Sequence, residues 1–184
     1  MSYIIKPAIA LFVTAVIVIF GLSFVIDLTY EPIQIQQRKA QETAMMAVLP
    51  QASSFSEVPG AGTGSIISVY EGQNNGVSAG YVVRLITKGY GGNIDMVVGI
   101  SGADKKITGM RILQHSETPG LGALAAREDF YRRFDNRPLI TMGVARTAPG
   151  EHDISAITAS TITTRAITGA VNEAIEWYLA TSGR

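Results

Sequence analysis

The chain has 184 residues, with 15 Lys and Arg against 15 Asp and Glu, and it contains no cysteine. The balanced charge gives no indication of binding to nucleic acid or another polyanion. The absence of cysteine excludes disulfides, thiolate metal sites and cysteine-ligated iron–sulfur clusters from this chain, while the length allows one ordinary domain with accessory segments.

An apolar run without any charged residue, Pro7–Ile26, follows a short N-terminal tail, residues 1–6. As an α-helix its 20 residues extend roughly 30 Å, which matches the hydrocarbon core of a bilayer. The run is longer than the apolar core of about 7–15 residues of a cleavable signal peptide, and no small-x-small cleavage site follows it. The sequence therefore predicts a transmembrane helix over residues 7–28, surrounded by membrane lipid.

The few charges beside this helix bias its orientation. Lys6 precedes the apolar run, whereas Asp27 and Glu31 follow it. Because basic residues are enriched on cytoplasmic flanks, this arrangement favours a cytoplasmic N-terminus and a C-terminal domain on the outer side of the membrane.

The segment 29–50 is rich in Gln, Ala and Met and shows a partial helical stripe, which predicts a juxtamembrane helix or linker. Pro, Gly and Ser then concentrate between Pro50 and Gly64, a composition typical of a loop. The sequence therefore predicts that the globular domain occupies residues 51–184.

Four short segments rich in β-branched residues follow at regular spacing, residues 65–70, 81–87, 94–100 and 107–113. Turns rich in Gly, Asn and Asp separate them, which predicts an antiparallel meander with one apolar side. Apolar residues at helical spacing predict helices over 121–134 and 162–179. The predicted fold is α+β, an antiparallel sheet with packed helices on a single N-terminal transmembrane helix.

Two glycine-rich loops connect the predicted elements. KGYGG, residues 88–92, is typical of a tight turn whose glycines adopt positive φ. HSETPGLG, residues 115–122, joins the last strand to the next helix and allows two interpretations. It is either a helix start, with Thr118 as cap and Pro119 in the first turn, or a rigid ligand-binding loop, because loops often carry binding residues.

TASTITT, residues 158–164, places five hydroxyl side chains at the start of the last predicted helix. The free N–H groups and the dipole of a helix N-terminus attract an anion such as phosphate. A helix cap needs only one hydroxyl, whereas a phosphate held by several amides and hydroxyls would use the whole set. Composition alone nevertheless favours structural capping, since threonines in a first helical turn often face solvent.

Taken in order, the single span, KGYGG, MVVGI, HSETPGLG and the threonine-rich helix start resemble the G subunit of the Rnf electron-transport complex. That family is related to NqrC of the sodium-pumping NADH:quinone reductase. The resemblance implies an FMN-binding domain in which FMN is joined to a threonine by a phosphoester bond, installed by a flavin transferase. The family's attachment motif has the form Asp-x-x-Ser/Thr-Gly-Ala-Thr.

Carried over to this sequence, the motif makes Thr161 the threonine that bears FMN, with Thr158 at its Ser/Thr position. The chain departs from the motif at three positions, where Ser155, Ala159 and Ser160 replace Asp, Gly and Ala. A second register would make Thr158 the acceptor, but it displaces the match of TITTRAIT to the residues that follow the acceptor. The resemblance therefore implies phosphothreonyl-FMN at Thr161.

The resemblance also implies which neighbouring residues contact the FMN. Hydroxyls around the attachment point would bond the phosphate, namely those of Thr158, Ser160, Thr163 and Thr164. The loop that follows the last strand would line the isoalloxazine through Glu117, Thr118, Gly120 and Leu121. Within that loop, Leu121 would face the apolar surface of the ring, and Glu117 and Thr118 its polar edge. Tyr90 of KGYGG is a further candidate contact; no catalytic acid or base and no metal site is expected, because electron transfer by FMN requires none.

The implied function is electron transfer within a complex of the bacterial inner membrane that couples ferredoxin:NAD oxidoreduction to translocation of Na⁺ or H⁺. The chain would relay electrons between other Rnf subunits, which are its expected partners. It would not bind NAD itself, in agreement with the absence of a G-x-G-x-x-G motif between a strand and a helix. The alternative is a membrane-tethered binding, interaction or regulatory module of the same fold without covalent flavin.

Overall fold

The computed structural model of the protein describes residues 2–147 and 149–182. The chain divides into two compact units, Met1–Ala40 and Gln41–Arg184. Helix α1, Ser2–Val48, provides all described residues of the first unit and the beginning of the second.

Within the first unit, α1 is long and apolar enough to cross a membrane, and large side chains such as Phe12 and Leu22 are exposed on it. The helix continues through Pro32, where the sequence predicts a separate juxtamembrane helix or linker. A proline removes one backbone hydrogen bond from a helix, and the surrounding Gln, Ala, Arg and Lys residues have high helix propensity. The predicted apolar N-terminal helix is therefore confirmed, and it extends through the segment predicted as a juxtamembrane helix or linker.

Six strands form one antiparallel sheet in the second unit, and their order in space is their order in sequence. They are β1 Ser54–Glu57, β2 Ile66–Asn74, β3 Val77–Lys88, β4 Asn93–Ser101, β5 Lys106–His115 and β6 Arg137–Pro138. This arrangement confirms the predicted meander. The edge strand β1 lies inside the segment that the sequence predicts to be a loop. The sequence does not predict this strand, because SFSE is mostly exposed and lacks an alternating apolar pattern.

The strands are longer than the predicted segments because the turns between them are short. Asn75 and Gly76, which join β2 to β3, have φ angles of 51° and 80°. Positive φ at both central residues is typical of a two-residue type I′ hairpin, which Asn-Gly favours.

The helix predicted over 121–134 is broken into three short pieces: a 3₁₀ turn Gly122–Ala126, α2 Glu128–Tyr131, and a second 3₁₀ turn Arg132–Phe134. Arg127 interrupts the helix because its backbone is extended, with φ −84° and ψ 154°. Phe130 and Phe134 are both buried in the core, with ring centroids 5.6 Å apart. The apolar spacing therefore reflects the burial of these rings and not a continuous helix.

The remaining elements complete the second unit. β7, Gly143–Ala145, pairs in parallel with β8, Asp153–Ser155. Helix α3, Thr161–Ser182, follows and buries Ile167, Val171 and Ile175 in the main core with residues of β3, β4 and β5.

The centre of the sheet is buried on both faces, which differs from the single apolar side that the sequence predicts. Val83 and Val98 belong to the core beneath α3, whereas the adjacent Val82 and Val97 point to the opposite face. That second face is covered by Met45, Val48 and Leu49 at the end of α1. The segment predicted as a juxtamembrane helix or linker therefore supplies part of the hydrophobic core.

Candidate functional site

A pocket of about 660 Å³ opens at the N-terminus of α3. Its volume lies within the range of sites that hold a cofactor or drug-sized ligand. Four separate segments of the chain line the pocket. They are KGYGG, the loop after β5, the connection after β7, and the turn that leads into α3 together with the start of that helix. The lining residues are, in chain order, Tyr90, Glu117, Thr118, Leu121, Gly122, Arg146, Ala156, Ile157, Thr158, Ala159, Ser160, Thr161, Ile162 and Thr163.

Glu117 joins three of the pocket walls. Its carboxylate is buried, and it accepts a hydrogen bond from the Gly91 N–H at 2.8 Å and another from Thr163 Oγ1 at 2.6 Å. Its own N–H donates to His115 Nδ1 at 3.2 Å. Because these partners lie in KGYGG, in α3 and at the end of β5, Glu117 fixes the two loops relative to the helix.

Two glycines leave the space that this carboxylate occupies. A Cβ atom at Gly89 or at Gly122 would collide with the oxygens of Glu117. The sequence predicts positive φ for the KGYGG glycines, and Gly92 has it, with φ 157°. Gly89 and Gly91 instead permit close approach, Gly89 to the Glu117 carboxylate and Gly91 to the Ser116 carbonyl. Gly89 in one loop and Gly122 in the other therefore make room for the buried carboxylate.

The backbone turns sharply before α3. Ala159 has φ +61°, in the left-handed region, at the position where the attachment motif has glycine. Ser160 N donates to Ile157 O at 2.9 Å, and Thr164 N donates to Ser160 O at 3.1 Å. The second of these bonds is the first turn of the helix, so α3 begins with Ser160 as its flanking residue.

Two hydroxyls of the threonine-rich segment are used inside the protein. Thr164 Oγ1 donates to Ser160 O at 3.0 Å and accepts from Ile157 N at 3.1 Å, while Thr163 Oγ1 donates to Glu117. Both threonines are buried, and Thr164 does not line the pocket. Internal acceptors therefore hold both hydroxyl protons in this structure, and the predicted contacts of these two threonines with a phosphate stay predictions.

Thr161 and Thr158 are the more accessible hydroxyls of this segment. Thr161 is half-buried in the first position of α3, Thr158 is exposed in the preceding turn, and Ser160 is buried. Arg146 Nε donates to Thr161 Oγ1 at 3.2 Å, inside the pocket lining. Thr161 is thus the hydroxyl that combines a place in the helix N-terminus with a cationic neighbour.

Arg146 is the residue that sequence reasoning missed. The parallel pairing of β7 with β8 sets Ala145 opposite Ser155 and brings the following arginine to the start of α3. No local pattern marks a lone arginine in a connection rich in Gly, Thr and Pro. Only the tertiary pairing of the two short strands reveals it.

The other predicted residues lie at the rim or beside it. Tyr90 is 74% exposed and Leu121 41% exposed, and Ile162, which the sequence did not single out, joins them at 57%. Thr118 lines the pocket but does not cap a helix, since the 3₁₀ turn begins after Leu121 without a side-chain cap bond. Gly120 is absent from the described lining and has φ +77°, so it shapes the loop.

The lining matches the two ends of FMN. Arg146 and the free N–H groups at the start of α3 suit a phosphate, and the exposed Tyr90, Leu121 and Ile162 offer apolar surface to a flavin ring. Within the described residues, no group of three or more His, Asp or Glu could hold a metal ion. The cationic Arg146, the start of α3 and the apolar rim fit an anionic organic cofactor.

Comparison with known proteins shows the family of this chain. The FMN-binding domain family matches residues 89–176, from KGYGG through most of α3. The G subunit of the ion-translocating oxidoreductase complex of Methanosarcina acetivorans is 32% identical over 180 residues, covering 93% of this chain and 94% of the relative. The chain belongs to the family of Rnf G subunits.

Further members of the family show similar identity. The G subunit of the Na⁺-translocating ferredoxin:NAD⁺ oxidoreductase complex of Acetobacterium woodii is 34% identical over 189 residues, covering 94% of this chain and 90% of the relative. The G subunit of the proton-translocating ferredoxin:NAD⁺ oxidoreductase complex of Clostridium ljungdahlii is 32% identical over 148 residues, covering 80% of this chain and 77% of the relative. The resemblance inferred from the motifs is therefore confirmed.

Two solved structures of other proteins share the fold of this chain. The C subunit of the Na⁺-translocating NADH-quinone reductase from Parabacteroides distasonis superposes with a TM-score of 0.61 at 14% identity, covering 78% of this chain and 92% of that one. NqrC of Shewanella oneidensis superposes with a TM-score of 0.52 at 20% identity, covering 70% and 66% of the two chains. These likenesses confirm the predicted α+β fold.

Proposed function

We propose that this Rnf protein carries FMN in phosphoester linkage to Thr161 and relays electrons in a membrane-bound, ion-translocating ferredoxin:NAD oxidoreductase. Membership of the family of Rnf G subunits makes the chain part of a redox-driven translocase. The observation that carries the covalent proposal is the position of Thr161, whose hydroxyl contacts Arg146 within the pocket at the N-terminus of α3.

The choice of Thr161 is supported by the state of its neighbours. Thr163 and Thr164 are buried with their hydroxyls bonded internally, so neither is open to a modifying enzyme. Thr158 is exposed but precedes the helix, where the N–H groups of the first turn are less able to hold a phosphate. Thr161 therefore offers the better phosphate environment.

Attachment requires an activated phosphoryl donor, because an alcohol and a phosphate monoester do not condense in water. With a flavin dinucleotide as donor, Thr161 Oγ1 loses its proton and bonds to the FMN phosphorus as the pyrophosphate bond breaks and AMP leaves. A partner flavin transferase would catalyse this step. The net change in the chain is the addition of FMN minus water.

Bound FMN supplies one-electron redox chemistry, and the protein fixes its position. Glu117 holds the two glycine-rich loops against α3 and keeps the pocket walls in register. Tyr90, Leu121 and Ile162 leave the mouth apolar and open, so a flavin held there would be accessible to the redox groups of other subunits. Those subunits are the proposed partners.

We infer that the globular unit lies outside the inner membrane and that the N-terminus is cytoplasmic. Lys6 lies before the apolar run, and Asp27 and Glu31 lie after it, which is the bias expected of a cytoplasmic N-terminal flank. In this orientation the chain would carry electrons at the outer surface of the membrane.

Intact mass of the full chain, produced together with a flavin transferase, tests the covalent proposal. The expected increment is that of FMN minus water. Thr161→Val should remove the increment, because the valine is close in shape but has no hydroxyl, while Thr158→Val should retain it.

Two results would contradict the proposal. Loss of the increment in Thr158→Val and its retention in Thr161→Val would move the attachment to Thr158. A wild-type chain without any increment, made beside an active transferase, would favour a tethered module of the same fold without covalent flavin.

A further inference from the structure

We propose that Arg146 is the side chain that binds the FMN phosphate beside Thr161. The inference rests on the proposed function, since it concerns the phosphate end of the same pocket. Arg146 Nε donates to Thr161 Oγ1 at 3.2 Å. Its guanidinium therefore lies next to the atom that would carry the phosphorus.

The segment that leads to Arg146 is anchored at two points. Asn172 of α3 donates from Nδ2 to Met142 O and accepts from Met142 N on Oδ1, each at 2.9 Å. Ala156 N donates to Ala145 O at 2.8 Å and extends the pairing of β7 with β8. The helix that would present the phosphate thus also positions the arginine that faces it.

The charge of Arg146 is available to a ligand. Among the described residues no carboxylate forms an ion pair with it, and the side chain is exposed at the pocket. Glu117, the other charged residue among the described lining, has its oxygens bonded to Gly91 and Thr163. An exposed guanidinium beside a pocket of this kind is suited to an anion.

The chemistry of the guanidinium matches a phosphate. It presents five N–H donors in a planar fork, and such charge-assisted bonds to phosphate oxygens are about twice as strong as neutral ones. The N–H groups of the first turn of α3 favour the same negative charge from another direction. Arg146 would therefore orient the phosphate as well as neutralise it.

The test compares FMN with riboflavin, which lacks the phosphate. The full chain is produced without the transferase and purified in detergent. Each flavin is then titrated with the protein while the fluorescence of the flavin is followed. Arg146→Gln should weaken FMN binding about tenfold, as expected for loss of a charge-assisted hydrogen bond. Riboflavin binding should stay within about twofold, because the apolar part of the pocket is unchanged.

Arg165→Gln is the matched control. Arg165 is an exposed arginine at the start of the second turn of α3, and it does not line the pocket. Like Arg146→Gln, the Arg165→Gln substitution removes one positive charge near the helix start. This variant should bind both flavins as the wild type does. Arg146→Lys, which keeps the charge but lacks the fork, should fall between the wild type and Arg146→Gln.

A second measurement uses intact mass to follow the rate of covalent attachment by the transferase. Arg146→Gln should acquire FMN about tenfold more slowly than Arg165→Gln. If Arg146→Gln and Arg165→Gln weakened FMN binding equally, Arg146 would act only through its positive charge near the helix start and not by contacting the phosphate. Equal loss of FMN and riboflavin would mean that the substitution damages the pocket. Either result overturns the inference.

Failure of the inference is distinct from failure of the proposed function. A wild-type chain that gains the FMN increment, with an Arg146→Gln variant that binds and acquires FMN equally well, contradicts only the role of Arg146. A wild-type chain that binds neither flavin and gains no increment contradicts the proposed function, and the role of Arg146 falls with it.

Discussion

At the scale of single residues, the pocket depends on groups that hold one another in place. Glu117 is a buried carboxylate with one oxygen on Gly91 N and the other on Thr163 Oγ1. A buried charge is costly unless hydrogen bonds satisfy it. The carboxylate therefore needs both of these bonds, and the bonds form only if the neighbouring residues leave room for the carboxylate. Gly122 provides part of that space.

Gly122→Ala should destabilise the domain by roughly 1–3 kcal/mol, the usual cost of overpacking a buried site. The added Cβ would meet the Glu117 carboxylate and lie 2.8 Å from Thr163 Oγ1. Urea unfolding of the full chain in detergent, followed by the fluorescence of the single tryptophan Trp177, measures the change. Gly169→Ala is the control: Gly169 lies at an exposed position of α3, and its Cβ would meet nothing within 4 Å. This variant should stabilise the domain by roughly 0.5–1 kcal/mol. Two variants of equal stability would argue against the packing account.

Ala159→Gly should stabilise the domain by about 1 kcal/mol, because an L-residue in the left-handed region is strained and glycine is not. Ala159 has φ +61° in the turn before α3. The same unfolding measurement applies, with Ala166→Gly inside α3 as the control that should lose about 1 kcal/mol. A fall in the urea midpoint for both variants would show that the turn does not strain Ala159.

At the scale of elements, the end of α1 is part of the globular unit. Thr108 Oγ1 donates to Val48 O, and a Cβ on Gly99 would collide with the same carbonyl. Arg84 donates to Gln41 Oε1 at 2.9 Å and to Asp95 at 2.7 Å. The hydrogen bond to Asp95 raises the pKa of Arg84 above its ordinary value. The last turns of α1 are therefore bonded to the sheet as well as packed on it.

A chain that starts at Gln41 should unfold cooperatively, whereas one that starts at Gln51, the predicted domain boundary, should not. The shorter chain lacks the buried Met45, Val48 and Leu49. Loss of a buried Leu or Met costs about 2–5 kcal/mol, and a domain has only about 5–15 kcal/mol in total. Trp177 packs edge-on against Tyr81 with centroids 5.5 Å apart, so its fluorescence reports the transition. A cooperative transition of similar midpoint in both chains would contradict the prediction.

At the scale of the whole molecule, the proposed function depends on which side of the membrane carries the globular unit. The absence of cysteine allows single cysteines to be introduced and labelled in intact cells. Ser78→Cys, at an exposed position in β3, should react with a membrane-impermeant maleimide from outside. Ser2→Cys in the N-terminal tail should react only after the cells are opened. The reverse pattern would place the domain in the cytoplasm.

Much of the fold follows from local patterns. The apolar run predicts the membrane helix, and β-branched segments between Asn- and Gly-rich turns predict the meander, because each pattern is satisfied by residues near one another in sequence. The broken helix at Arg127 and the second buried face of the sheet do not follow. Both depend on which distant side chains pack against them.

For the site, the sequence by itself determined the glycine-rich loops, the threonine-rich helix start and the family to which they belong. Only the tertiary structure decided how these groups are used: Glu117 binds Thr163, Thr164 closes the first turn, and Arg146 reaches Thr161. The physical reason is distance along the chain. Strand alternation and helix starts are set by neighbouring residues, whereas a contact such as Arg146 to Thr161 exists only after β7 and β8 have paired.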